Sequence, residues 1–354
     1  MRRRLRRIAN KIPNGLLNTM VAVLFILVLF TIFDIETLKK IELWDISSVA
    51  NTIDGVVPSI LAIFEKTAVK IVIYVLFGIV LLLRIIKFVM KPKAIILSHS
   101  SFSNAQSTYD ESVVSGYSVK QEEINLVKQI ADGKLVEAVR KQDGIVQRVK
   151  NNCDEFTELF YYGIAHIPLI CRAGFQVGNE GKVRLLHKYR NEQTKFKEIS
   201  SDRDNYSVEL KKTNVVVRNS VSKEMLVVVE TTFPVTEEDL KVFYDNDIGF
   251  ELHFELERSS MYSFDSIVSY DVMTRLRSSI MNTIRDAVKK NAIQKIHLVL
   301  ATSSDFAFFM AQDFSRYHDP EVIAYQYDRN SSTKYPWGIS NISSPENAVK
   351  YQSE

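Results

Sequence analysis

Most of what marks an enzyme by its sequence is missing from this chain. It has two cysteines, Cys153 and Cys171, in no Cys-x-x-Cys pair, so neither a disulfide framework nor a zinc cluster is indicated. There is no Gly-x-x-x-x-Gly-Lys-Ser/Thr phosphate loop, no His-Glu-x-x-His and no Gly-x-Ser-x-Gly turn, and those absences remove the motif-defined NTPases, zincins and serine hydrolases. The six histidines are scattered, none at metal-ligand spacing from another. Ser303, Ser304 and Asp305 imitate a hydrolase corner, but a helix cap explains them more simply. The expectation is a protein that is not an enzyme and needs no cofactor or metal.

Charge of one sign is also missing from the whole, which carries a net +3, but not from its parts. Residues 1–97 hold 14 Lys+Arg and 6 Asp+Glu, 14 − 6 = +8, leaving 31 − 36 = −5 for the remainder. An acidic body is no general polyanion binder, so DNA and RNA polymers are not expected partners. Within it, Arg172, Lys182, Arg184, Lys188 and Arg190 face only Glu180, a patch sized for a small anion that equally fits a solvated face.

What the chain does have is two apolar runs near its start. Residues 15–33 contain no charge, and a second run, 71–83, is flanked by Lys70, Arg84 and Lys87; at 1.5 Å per helical residue, with snorkelling ends, both fit a bilayer crossing. A buried core helix is the alternative for the shorter run. Arg2, Arg3, Arg4, Arg6, Arg7 and Lys11 precede the first run, Arg84, Lys87, Lys91 and Lys93 close the second, and the loop between is net acidic. The positive-inside bias then predicts a multi-pass membrane protein with both termini cytoplasmic.

The organisation expected is a two-span module over 1–97, a Ser-rich linker over 98–118, an α/β body over 119–345 and a tail over 346–354. Spacing predicts helices over 122–130, 134–141, 144–159 and 271–291. Residues 225–229 read as a buried strand and 250–257 as a strand of strict period two, with His253 on its wet face as a cross-strand partner. Two stretches share one grammar of strand, small polar turn, helix and strand. One runs from Tyr162-Gly163-Ile164-Ala165-His166-Ile167-Pro168-Leu169 to Lys182-Val183-Arg184-Leu185-Leu186-His187-Lys188-Tyr189-Arg190. The other runs from Ile296-His297-Leu298-Val299-Leu300-Ala301-Thr302-Ser303-Ser304-Asp305 to Val322-Ile323-Ala324-Tyr325-Gln326-Tyr327-Asp328. Each is one βαβ unit of a parallel sheet, where ligands sit beyond the strand carboxyl ends, so a composite site between two Rossmann-like halves is expected.

These half-motifs, with the late Tyr335-Pro336-Trp337, resemble the SAVED domain over roughly residues 120–345, and the two-span start resembles two-transmembrane SAVED effectors. The resemblance implies two fused CARF-like units serving as receptor in cyclic-oligonucleotide-based antiphage signalling (CBASS). It implies a cyclic di-, tri- or tetranucleotide from a partner synthase as ligand, and His166, Ile167, Lys188, Tyr189, Arg190, Thr231, Thr232, Ser303, Ser304, Tyr327 and Asp328 as its binding residues. Their chemistry is compatible: Lys188 and Arg190 suit phosphates, the hydroxyls suit phosphate or base edges, and Tyr189 and Tyr327 suit stacking. Ser304 also fits a helix cap, Tyr327 a core position and Thr231 an ordinary turn. Other members carry Trp after the first βαβ unit, whereas residues 194–198 here supply only Phe196, leaving the stacking partner of that half open. The implied outcome is ligand-driven homo-oligomers that disrupt the bilayer and kill or arrest the cell. A tethered receptor or scaffold without pore activity is the alternative, and a membrane-bound cyclic-nucleotide phosphodiesterase a weaker one.

Overall fold

The structure is a computed structural model describing residues 14–32, 67–89, 91–103, 108–179, 183–190, 195–199, 208–212, 215–257 and 262–352. The chain divides into two compact units, 1–91 and 92–354. The expected basic N-terminus, the acidic loop, Lys182 and Thr194 lie outside the described residues.

In the first unit, α1 (Asn14–Ile32) packs against α2 (Thr67–Val89), burying Leu17, Ile73 and Val80 between them. Their other apolar side chains, among them Leu16, Val23, Ile71, Val75 and Leu82, stay exposed. Side chains are described over 15–25 and at Val28 in α1 and over 70–85 in α2. Among the described residues no helix is long and apolar enough to cross a membrane.

The second unit opens with a strand that straddles the boundary expected at residue 97, between the two-span module and the linker. β1 (Lys93–Ser100) lies between β3 (Ser118–Asn125) and β4 (Thr157–Ile164), parallel to both, with Ala94, Ile95, Ile96 and Leu97 all buried. A parallel strand covered on both faces reads as an unbroken apolar run, and directly after an apolar helix it passes for the tail of that helix. The boundary therefore falls at residue 91 rather than 97. β3 corrects the helix expected over 122–130: only α3 (Val127–Ala131) is helical there, because Lys120, Glu122 and Asn125 lie on a polar edge strand. The helices expected over 134–141 and 144–159 are one, α4 (Leu135–Asn152), and residue 157 onward belongs to β4.

The first sheet runs β2-β6-β5-β4-β1-β3, with β2 (Thr108–Tyr109), β5 (Val183–His187) and β6 (Lys195–Glu198). The second is built on β9 (Glu224–Glu230), β10 (Phe250–Leu256), β11 (Lys295–Ala301) and β12 (Glu321–Gln326), all parallel in the order β10-β9-β11-β12. Antiparallel strands flank it: β7 (Leu210–Lys212) and β8 (Val216–Val217) beside β10, and β13 (Trp337–Ser340) and β14 (Val349–Tyr351) beyond β12. The parallel core of the first sheet, β3-β1-β4-β5, has the same order: second, first, third and fourth strand in sequence. One topology is thus present twice.

Between the sheets lie α4, α5 (Ile167–Val177), α7 (Tyr270–Asn291) and α8 (Ser304–Ala311), whose apolar faces make one core with Leu97, Tyr161, Leu252 and Leu298 from the strands. α5 and α8 hold the halves together. A Cβ at Gly174 would overlap the Phe308 carbonyl, so only glycine allows this approach. α6 (Lys241–Asp245) covers the outer face of the second sheet through Phe243. Strand β10 is confirmed, but it has no wet face: Glu251 is buried and His253 half-buried, 3.2 Å from Glu230 on the neighbouring strand. His253 is a cross-strand partner inside a covered sheet.

Candidate functional site at the strand carboxyl ends

The first βαβ unit is β4-α5-β5 and the second is β11-α8-β12, and between their carboxyl ends lies a cavity of about 430 Å³. Alternation along β5 points Val183, Leu185 and His187 at the inter-sheet layer. Lys188, Tyr189 and Arg190 then leave the sheet and line the cavity with Phe196, Phe264 and the start of α8, Ser303, Ser304 and Asp305. Five of the expected residues, Lys188, Tyr189, Arg190, Ser303 and Ser304, are thereby brought together.

A buried charge network forms the floor. His187 is 3% exposed, with Nδ1 3.2 Å from both Asp305 oxygens and Nε2 3.0 Å from Asp265 Oδ1. Burial alone would lower its pKa, but Asp305 and then Asp265 outweigh that and raise it to about 9. The ring is therefore an imidazolium at neutral pH. Asp265 also accepts from the Arg190 backbone N–H at 3.1 Å, and the Arg190 guanidinium lies 4.3 Å from the centre of the exposed Phe264 ring. Tyr189 meets the His187 ring edge-on at 4.9 Å.

From the second half, Ser303 sits at the N-cap of α8 without a side-chain capping bond, and its buried Oγ has no protein partner among the described residues. The cap expected at Ser304 falls instead at Ser303, whose side chain makes no capping bond, and an orphaned hydroxyl at a helix start beside a cavity is a group a ligand can satisfy. Thr231 and Thr232 are placed differently from the expectation. Both donate their N–H to the Ala301 carbonyl, at 2.9 and 3.0 Å, and Thr231 Oγ1 donates to Thr302 Oγ1 at 2.8 Å. They are buried and tie β9 to β11, while Thr302 is the threonine that lines the cavity.

The remaining four cluster at the ends of β4 and β12. His166 Nδ1 shares a 2.6 Å hydrogen bond with the Ser101 hydroxyl, and the ring stacks on Phe102 with ring centres 4.2 Å apart. Burial lowers its pKa to about 4 against an opposing pull from Asp328, so it is neutral at physiological pH. The Ile167 N–H donates to Gln326 Oε1 at 3.1 Å; Tyr327 is half-buried 5.5 Å from Tyr335, and Asp328 is exposed.

The basic patch is dispersed. Arg172 is 4% exposed, bonded to both Asp143 oxygens and to the carbonyls of Ser340 and Ser343, and Arg184 is held between Glu158 and Glu198. Among the described residues of that patch, only Lys188 and Arg190 reach the cavity. Phe196 is 3% exposed in the outer core of the first sheet, so its ring is mostly packing. Sequence reasoning missed His187, Asp305, Asp265 and Phe264. A histidine in register with buried Val183 and Leu185 needs a polar partner, and that signal pointed to His187.

The family model described as SAVED, the SMODS-associated and fused to various effectors sensor domain, matches residues 142–340. No curated protein matches the chain. Among solved structures, the chain is similar to the Acinetobacter baumannii Cap4 SAVED/CARF-domain containing receptor with the cyclic trinucleotide 2'3'3'-cAAA, at 13% identity and a TM-score of 0.49, covering 76% of this chain and 55% of that one. The same receptor with 3'3'3'-cAAA gives 13% identity and a TM-score of 0.48 over the same shares. The Moraxella osloensis Cap4 SAVED/CARF-domain containing receptor gives 12% and 0.40, covering 64% of this chain and 47% of that one. The chain spans about half the length of these structures.

Proposed function

Because residues 142–340, more than half of the chain, match that model, the chain belongs to the SAVED family of sensor domains, and we propose that its α/β body is a receptor for a cyclic oligonucleotide in antiphage defence. The observation that carries this reading is the cavity between the two βαβ units. It offers two cations for phosphates in Lys188 and Arg190, an orphaned hydroxyl in Ser303 at a helix start, and aromatic rings in Tyr189 and Phe264 for bases. Asp265 and Asp305 face the His187 imidazolium, so they set the loop that carries the cations. Among the described residues lining the cavity no nucleophile is paired with a base, and receptor rather than hydrolase is the reading this supports.

The fuller proposal couples binding to the membrane. Among the described residues no helix is long and apolar enough to cross a membrane, so this step rests on the sequence pattern alone. The uncharged run 15–33 and the basic flanks support two crossings of an inner membrane with both ends of the chain cytoplasmic. Ligand would assemble the bodies, and the clustered helices would disrupt the bilayer.

Calorimetric titration of the full chain in detergent with cyclic di-, tri- and tetranucleotides tests the receptor step, with cyclic triadenylates heading the panel. Binding of one ring class is expected, and no heat with any of them sinks the proposal. Membrane potential in cells making the chain, with and without ligand synthesis, tests the second step. Depolarisation without ligand would overturn the coupling.

A further inference from the structure

A larger cavity, about 550 Å³, lies on the outer face of the first sheet where β1 and β3 end. It flanks the same stretch of β4 as the first cavity: Tyr162 lines one, and Gly163 with Ile164 lines the other. A ring of several nucleotides exceeds the drug-sized ligand that either volume holds alone. On the receptor reading, we infer that this cavity is a base subsite of the same ligand, selective for guanine.

The lining chemistry makes the choice. Among the described residues it contains no Lys, Arg or His, and it presents the Glu123 carboxylate, so it repels a phosphate. It does present an aromatic platform. Phe102 is 42% exposed although His166 stacks on it at 4.2 Å with planes 20° apart, so the exposure falls on the opposite face of the ring, where a base can lie. Around that platform are hydroxyl, amide and carboxylate groups from Ser98, Ser100, Gln121 and Glu123. Asn125 Nδ2 donates to Glu123 Oε1 at 3.2 Å, which orients the carboxylate without saturating its lone pairs.

A carboxylate accepts and does not donate. The pairing edge of guanine offers two adjacent donors, N1–H and the 2-amino group, and matches it twice. Adenine offers one donor beside a ring nitrogen lone pair, which would face the carboxylate oxygen unfavourably, and cytosine repeats that fault. Glu123 is thus the selector and Phe102 the platform, and both sit at exposed positions where substitution spares the core.

The test compares cyclic trinucleotides that are all adenine or carry one guanine, titrated into the full chain in detergent. The guanine-containing ring is expected to bind roughly tenfold or more tightly. Glu123→Gln should bring the two rings within about threefold by weakening the guanine ring alone, and Phe102→Ala should weaken it similarly. Tight binding indifferent to guanine and to Glu123 overturns the subsite and leaves the receptor reading standing. Binding of none of the cyclic di-, tri- and tetranucleotides, with or without guanine, overturns both.

Discussion

The two βαβ units share a topology and differ in what they place at their strand ends. The first ends β5 in His187-Lys188-Tyr189-Arg190, long side chains that leave the sheet for the cavity. The second ends β11 in Ala301-Thr302-Ser303, small residues that bring the start of α8 to the same cavity. Duplication of a fold thus does not duplicate a site: the end of β5 contributes cations and a tyrosine ring, the end of β11 hydroxyls and the backbone donors of a helix start. The same division separates arginines that look alike in sequence. Arg172, inside the first unit, is spent on Asp143 and two carbonyls, whereas Arg190, past its end, faces the cavity.

That contrast is broken most strongly at Arg172. Arg172→Met should destabilise the body by about 4 kcal/mol, because it leaves Asp143 and the carbonyls of Ser340 and Ser343 without their donor. Denaturant unfolding measures the loss. Ligand affinity per folded molecule should be unchanged, and a selective loss of affinity would return Arg172 to the site.

Next in size is a pH effect at His187. Its folded pKa, about 9, is raised above the ordinary histidine value of 6.5, so its contribution is fully present below pH 6.5 and is lost as pH rises through 9. The contribution is on the order of 3 kcal/mol by linkage. Stability should therefore fall between about pH 6.5 and 9 in the native chain, and His187→Gln should flatten that part of the curve. An unchanged slope would show that the two aspartates do not hold an imidazolium.

Lys188→Glu and Arg190→Glu come third. Each should weaken cyclic-oligonucleotide binding by about 2 kcal/mol, from loss of a charge-assisted contact, with the unfolding midpoint nearly constant because both side chains lie at the cavity rather than in the core. Affinity indifferent to both would move the phosphates elsewhere.

How much of this was legible follows from the range of the interactions. The βαβ grammar is local, so β4, α5, β5, β11, α8 and β12 could be read directly, whereas Lys188, Arg190, Ser303 and Ser304 came as binding residues only from the resemblance to the SAVED domain, and they lie where the strand carboxyl ends are. β1 was misread because a strand buried on both faces has no alternation to betray it, and β3 because an edge strand rich in Lys, Gln and Glu resembles an exposed helix. Asp265 and Phe264 reach the site from a loop 78 residues beyond His187 in the chain. No periodicity encodes such a contact.

The smallest expected effect decides which side of the contrast the threonines belong to. Thr231 resembles a ligand-binding residue by position, yet its hydroxyl donates to Thr302 at 2.8 Å, its N–H is taken by Ala301, and its carbonyl accepts from Ser266 Oγ at 2.9 Å. Every polar group it has is engaged in joining β9, β11 and the loop that carries Asp265. Thr231→Val keeps the shape and the backbone bonds and removes one buried hydroxyl pair, at a cost of about 1 kcal/mol. If Thr231 only positions Thr302, the unfolding midpoint should drop slightly while affinity stays within about twofold. An affinity loss near tenfold, the 1.4 kcal/mol step of a lost ligand bond, with unchanged stability would mean that the hydroxyl turns from Thr302 to the ligand on binding. The second half would then contribute side chains on the same terms as the first.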